Sequence, residues 1–560
     1  MTLPRLRNRT LGIFYRHRFF SIAILMLLYG AALVYEAKHL GLTIDEPSHF
    51  AAAYMYWLGE DILEPADTPP LTRAISGWVP ILLYAPDPVE TKGWQSKDAY
   101  QIGIEILGMQ HVRARRLLFY TRLPFIVFPL LIVFLIWHWA RQLFGEVVAL
   151  ILAACACLEP TMLGHGALIK SDVPATFAAL LFAYTAWRYW QTPTRIRLLF
   201  LTLASTMALL TKFTLLPLVF LGFLLALWKG PRLLAAVAMP PFFYFAVLVI
   251  SQFKAGPLSA LDRAEFPDPG VPQWIIRCIE PLANLPWPHQ FIKGLTYVGN
   301  SMLTVGFPGY IMGRRAEIWE PSYFPLCWAI KFPIVLQLLM LAGLTVLCVR
   351  LWRRQAGAAD AAIWGSAALY FGAGVMSNFH IGFRHVLPAL PFFILGSGFA
   401  IELLWRHRIG KTVVAVGVAL LAISSLRVYP NGISYFNEWI GGPTNGWRYL
   451  ADSNLDWGQN YPELAAYVKQ HPEQPVHTFL FSFDNLKHYT DVGTFISHDW
   501  PSAESPTGNR YQPEAGVYAI SVDLLTGLVL PKGQEDFLAA FRDRQPVGRA
   551  GYSILIYRVE

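Results

Sequence analysis

Apolar runs of about twenty residues recur along this chain, and no other feature limits its fold so severely. The first, Phe19 to Tyr35, is about long enough to cross a bilayer as one helix. Of the 560 residues, 55% are hydrophobic and only 15% charged, more apolar surface than a soluble globule of this size needs. The net charge of +8 does not point to nucleic acid, because the basic residues sit in short clusters between the apolar runs, as in loops that set topology. Five cysteines, none in a C-x-x-C pair, indicate neither a disulfide framework nor a zinc site. Cys155 and Cys157 lie within an apolar run and read as packing residues. The first run lacks a small-residue cleavage site, so it is expected to remain as a helix.

Arg5, Arg7, Arg9, Arg16 and Arg18 precede the first run without an acid among them, which keeps the N-terminus in the cytoplasm. Spans are then predicted near 19–37, 120–140, 146–163, 173–190, 198–211, 213–228, 233–251, 323–349, 361–378, 386–405 and 411–427. The expected fold is an α-helical polytopic membrane protein of about eleven transmembrane helices, N-terminus in and C-terminus out. Residues 1–429 form the membrane module, with long outer loops at 38–112 and 252–321; within the second, 289–303 suits an interfacial amphipathic helix. Residues 430–560 are more polar. Short alternating runs at 477–481, 517–522 and 552–557 predict strands, and Gly441-Gly442-Pro443 and 501–508 predict turns. A small extracytoplasmic α/β domain is expected there. Arg113, Arg115, Arg116 and Arg122 run against the charge rule at the outer end of the second span and invite an anionic ligand.

Four polar clusters fall on the outer face in this topology: Asp45-Glu46, Lys170-Ser171-Asp172-Val173-Pro174, Thr211-Lys212 and Arg384-His385. Acids at the mouth of a membrane helix are costly to hold near hydrocarbon and usually have a use. A carboxylate there suits a general base, and cations suit a clamp on a phosphate leaving group. Plainer uses stand beside these: Asp172 as a helix N-cap, Lys212 as a snorkelling side chain, Arg384 and His385 as topological charges, Asp67-Thr68-Pro69-Pro70 as a turn. Trp287, Trp319, Trp328 and Trp439 read as interface anchors. No P-loop, dinucleotide fingerprint or H-E-x-x-H motif occurs, which argues against ATP-driven work, dinucleotide redox chemistry and zinc proteolysis.

In this order the clusters resemble the dolichyl-phosphate-mannose–protein mannosyltransferase-like family and the bacterial lipid A aminoarabinose transferases, both of the C-type superfamily of membrane glycosyltransferases. Asp45-Glu46 is similar to the acidic pair of the family's first outer loop. Pro69-Pro70-Leu71 resembles its His-Pro-Pro-Leu motif, with Thr68 in place of His. Asp172-Val173-Pro174 resembles its Asp-x-Pro, Thr211-Lys212 its Thr-Lys-Gly with Phe213 in place of Gly, and Arg384-His385-Val386-Leu387-Pro388 its Arg-(His/Tyr)-x-x-Pro. The resemblance implies an inverting transfer of a sugar from a polyprenyl-phosphate carrier to a protein, lipid or glycan acceptor, at the periplasmic face of a bacterial inner membrane. It implies catalytic roles for Asp45, Glu46 and Asp172, with Asp45 as the base. It implies substrate contacts from Lys212, Arg384, His385, Arg122 and Lys170. The donor arrives activated, so no cofactor is expected; metal dependence varies across the superfamily, and no ligand set is evident here. A flippase or transporter for polyprenyl-linked glycans is the alternative, with an oligosaccharide ligase a third reading. No internal repeat of the kind transporters show is found. Asp452-Ser453-Asn454-Leu455-Asp456 reads either as part of a binding surface or as a turn-rich domain entry.

Overall fold

The computed structural model describes residues 3–60, 68–108, 111–257, 285–300, 306–307, 309–316, 318–502, 504–506 and 508–560, with the side chains of 3–18, 111, 112 and 300 excepted. Asp67 and residues 301–303 lie outside that set.

Helices dominate from Leu3 to Leu426. Among the described residues, six helices can cross a membrane by length and composition: Phe19–His39, Arg113–Phe144, Arg232–Ile250, Ile334–Trp352, Phe383–Trp405 and Arg408–Leu426. A bent pair, Glu146–Cys157 and Pro160–Gly166, makes a seventh if taken as one span. Four of the expected spans are missing from this set. Arg195–Thr211 and Leu216–Lys229 are too short, at 17 and 14 residues against the roughly twenty that a straight span needs. Asp172–Gln191 and Ala358–Val375, at 20 and 18 residues, are not apolar enough. The expected helix over 146–163 breaks at Leu158-Glu159, turning by 59°. There Pro160 opens a new helix, and the Glu159 carboxylate caps it by accepting the Met162 N–H at 2.6 Å. The expected helix over 323–349 also divides, into Tyr323–Lys331 and Ile334–Trp352. Pro333 has no N–H to donate and forces Phe332 into an extended conformation, φ −83° and ψ 136°. Within the segment expected as the second outer loop, a helix runs His289–Asn300.

The C-terminal part holds five strands: β3 (Val476–Phe479), β4 (Phe495–Ser497), β5 (Gly516–Ser521), β6 (Gly548–Ala550) and β7 (Ile554–Val559), numbered after a small hairpin of β1 (Tyr310–Ile311) and β2 (Arg314–Arg315). Their order is β4-β3-β5-β7-β6, parallel between β3 and both β4 and β5, antiparallel from β5 to β7 and β6. Alternation along β5 and β7 gives the sheet two apolar faces. Val517, Ala519, Ile554 and Ile556 pack on the helix Tyr461–Gln470 through Leu464 and Val468. Tyr518, Ile520, Leu555 and Tyr557 belong instead to the largest core cluster of the molecule. That cluster continues through Phe436, Leu450 and Leu455 to Leu390 and Trp139 in the helices, so the sheet and the helical module share one core.

Candidate active site

Asp45 occupies the N-cap position of the helix Glu46–Leu58, but among the described residues its side chain makes no capping bond to that helix. It turns to Lys170, with which it forms an ion pair, and lies 3.4 Å from the Arg384 guanidinium. Burial alone would raise its pKa; Lys170 and then Arg384 outweigh that and hold the carboxyl at about 2. The same burial, reinforced by Arg384, lowers the pKa of Lys170.

Asp172 opens the helix Asp172–Gln191, with Ser171 at the N-cap position. One of its oxygens pairs with Lys212 at 2.5 Å and the other with Arg384 at 3.3 Å. Lys212 reaches it because the chain leaves the helix Arg195–Thr211 there in an extended conformation, φ −155° and ψ 129°. Arg384 thus bridges the two aspartates. It stands just after Gly382, whose φ of 141° a side chain would resist; a Cβ there would lie 2.1 Å from Ser453 Oγ. Asp45, Lys170, Asp172, Lys212 and Arg384 therefore form one cluster, three cations on two carboxylates, with a net charge of +1. Asp45 and Lys212 are its most open members, at 20% and 15% exposure. His385 follows Arg384 with its ring beside Phe379, and its buried Nε2 has no hydrogen bond among the described residues.

Glu46 and Arg122 are placed differently from the expectation that they touch substrate. Both side chains are fully buried and pair with each other. Arg122 donates through Nε and Nη2 to Glu46 at 2.8 and 2.5 Å, and to the carbonyls of Ala37, Leu40 and Gly41. These bonds use all five of its donors. The Glu46 carboxylate also accepts from the backbone N–H groups of Thr43 and Ile169 and from the Thr43 hydroxyl. In this arrangement neither has a polar site left for a ligand. They lock the 37–46 turn that carries Asp45. The short helix Pro70–Ser76, which carries the Pro-Pro-Leu motif, packs along Glu46–Leu58, and its Arg73 donates to Gln290 at 3.0 Å.

Ser453 and Trp457, outside the four expected clusters, also touch this one. Ser453 Oγ accepts from Arg384 Nε at 2.8 Å, and the Trp457 ring lies 4.5 Å from Lys170 Nζ and 4.4 Å from the Arg384 guanidinium carbon. The visible signal was an octapeptide, 452–459, dense in Asp, Ser, Asn, Trp and Gln within an otherwise turn-like stretch.

Residues 114–253, which contain Arg122, Lys170, Asp172 and Lys212, match the family described as dolichyl-phosphate-mannose-protein mannosyltransferase. Two crystal structures of ArnT from Cupriavidus metallidurans also match, one bound to undecaprenyl phosphate (TM-score 0.41) and one in the apo state (0.42). Each is 12% identical, with 96% of this chain and 97% of that chain covered. No curated protein matches the chain. By its motifs and by the family match, the chain is similar to membrane glycosyltransferases of the mannosyltransferase type.

Proposed function

We propose that this chain is an inverting glycosyltransferase that moves a sugar from a polyprenyl-phosphate carrier to an acceptor hydroxyl at the outer face of the inner membrane. The observation that carries the reading is the five-residue cluster, in which an open carboxylate stands beside three cations at helix ends. An excess of one positive charge suits a phosphodiester, and a neighbouring carboxylate suits an attacking hydroxyl.

In the reaction, Asp45 takes the proton of the acceptor hydroxyl as its oxygen bonds to the anomeric carbon. The bond from that carbon to the phosphate oxygen breaks on the opposite side, which inverts the centre. The polyprenyl phosphate leaves with one more negative charge, which Lys212, Arg384 and Lys170 stabilise. Asp172 keeps Lys212 and Arg384 in place. A carboxylate held at about 2 is a weak base. The arriving phosphate competes for Lys170 and Arg384, so the donor itself frees Asp45 and raises its basicity. The acceptor is a protein, lipid or glycan hydroxyl.

The test is equilibrium binding of a polyprenyl phosphate to the purified protein in lipid nanodiscs. Lys212→Ala and Arg384→Ala are each expected to weaken it by about tenfold or more, the loss of one charge-assisted contact. If both variants bind as the parent does, the phosphate is not held by this cluster and the reading fails.

A further inference from the structure

We infer that residues 452–459 are a positioning device for the cluster, with Trp457 the residue that aligns Lys170 and Arg384 for the donor phosphate. The inference rests on the proposed transferase reading and adds a role for a segment that lies far along the chain from the other site residues.

The octapeptide grips both sides of the site. On one side it holds the turn that carries Asp45: the carbonyls of Trp457 and Gln459 accept the N–H groups of Ile44 at 2.9 Å and Gly41 at 2.8 Å. On the other it holds the segment that carries Arg384. Asn454 Oδ1 accepts the Phe383 N–H at 2.9 Å, Ser453 Oγ accepts Arg384 Nε at 2.8 Å, and the same hydroxyl donates to the Ile381 carbonyl. Between these grips lies the Trp457 ring, 3% exposed, against Lys170, Arg384 and the His165 ring at 5.5 Å.

The segment is itself fixed from several directions. The Asp452 N–H donates to Asp523 at 2.7 Å. The Asn454 carbonyl accepts from buried Lys331 at 2.5 Å, and its amide donates to Tyr323 Oη at 2.8 Å. Gln459 Nε2 donates to the Leu455 carbonyl and Ser434 Oγ, while its Oε1 accepts the Trp457 N–H at 2.7 Å. An aromatic platform so restrained cannot follow a wandering side chain. Two like charges that crowd one carboxylate repel each other, and the electron-rich ring face offsets this without taking up their N–H groups. A carboxylate in its place would neutralise the cations; an aliphatic side chain would leave them unaligned.

The experiment compares Trp457→Phe, Trp457→Leu and Ser453→Ala in nanodiscs by undecaprenyl phosphate binding and thermal unfolding. Trp457→Leu is expected to bind about ten- to a hundredfold more weakly, from the loss of two cation–ring contacts. Trp457→Phe should recover most of that loss, although both variants remove packing, and Ser453→Ala should weaken binding several-fold. Binding by Trp457→Leu within twofold of the parent overturns the inference. So does equal weakening in Phe and Leu variants with equally lowered unfolding temperatures, which marks a packing role. If Trp457→Leu does not fold, the Phe and Ser453→Ala variants decide: parent-like binding in Ser453→Ala together with a loss of tenfold or more in Trp457→Phe overturns it. Failure of the parent itself to bind the probe sinks the transferase reading instead, so the two failures are distinguishable.

Discussion

Replacing Asp45 with Asn should move turnover and donor affinity in opposite directions. The amide keeps the size of the side chain and can still accept from Lys170, so the fold should survive. It cannot accept a proton, which removes general-base catalysis worth about 10²–10⁴ in rate, or roughly 3–5 kcal/mol of barrier. It also takes one negative charge from a cluster of three cations and two carboxylates, leaving a net +2 for the donor phosphate. One unit charge about 6 Å away at an effective dielectric of about 20 contributes at most ~3 kcal/mol. Asp45 is 20% exposed, so solvent and salt reduce this, and about 1 kcal/mol, a roughly fivefold tightening, is the expected effect. The assay pairs single-turnover transfer from a polyprenyl-phospho-sugar with equilibrium binding of the polyprenyl phosphate. Turnover within tenfold of the parent, with tightened binding, refutes the reasoning: Asp45 would then be a counter-ion to the cations and some other group the base.

Glu46→Gln should leave the Arg122 charge buried beside a neutral amide and destabilise the protein by about 3–5 kcal/mol, read as a lower unfolding midpoint; an unchanged midpoint contradicts the lock described for this pair. Because Asp45 is depressed to about 2, its bridges support the fold above about pH 4 and are lost as pH falls through about 2. The acid limb of kcat/KM, which reports the free enzyme, should therefore lie below that of kcat, which reports the donor-bound enzyme with its cations drawn to the phosphate; coincident limbs argue against donor-freed basicity. Asp45→Cys and Lys212→Cys should label from the same, outer side of intact cells, and labelling from opposite sides overturns the topology.

The sequence by itself determined the material of this fold. The apolar runs can be satisfied only as membrane helices, and the chemistry-bearing residues announce themselves because a charge beside such a run is costly without a use. Asp45, Lys170, Asp172, Lys212 and Arg384 were all visible on those grounds. The helix breaks were also local in origin: Pro160 and Pro333 stand in the sequence, and the expected spans over 146–163 and 323–349 overrode them on length alone. What only the tertiary structure decided is who pairs with whom. Asp45 and Glu46 are adjacent and chemically alike, and local pattern cannot say which faces the site. A guanidinium 76 residues along the chain takes Glu46 out of reach, while a lysine 125 residues away leaves Asp45 partly open. Trp457 was legible as part of a polar octapeptide, 452–459, but not as a partner of the two cations. Its place beside two cations depends on a chain path that returns, hundreds of residues after Asp45, to lie against the turn that carries Asp45, and periodicity, charge and spacing are all local quantities that carry no record of that return.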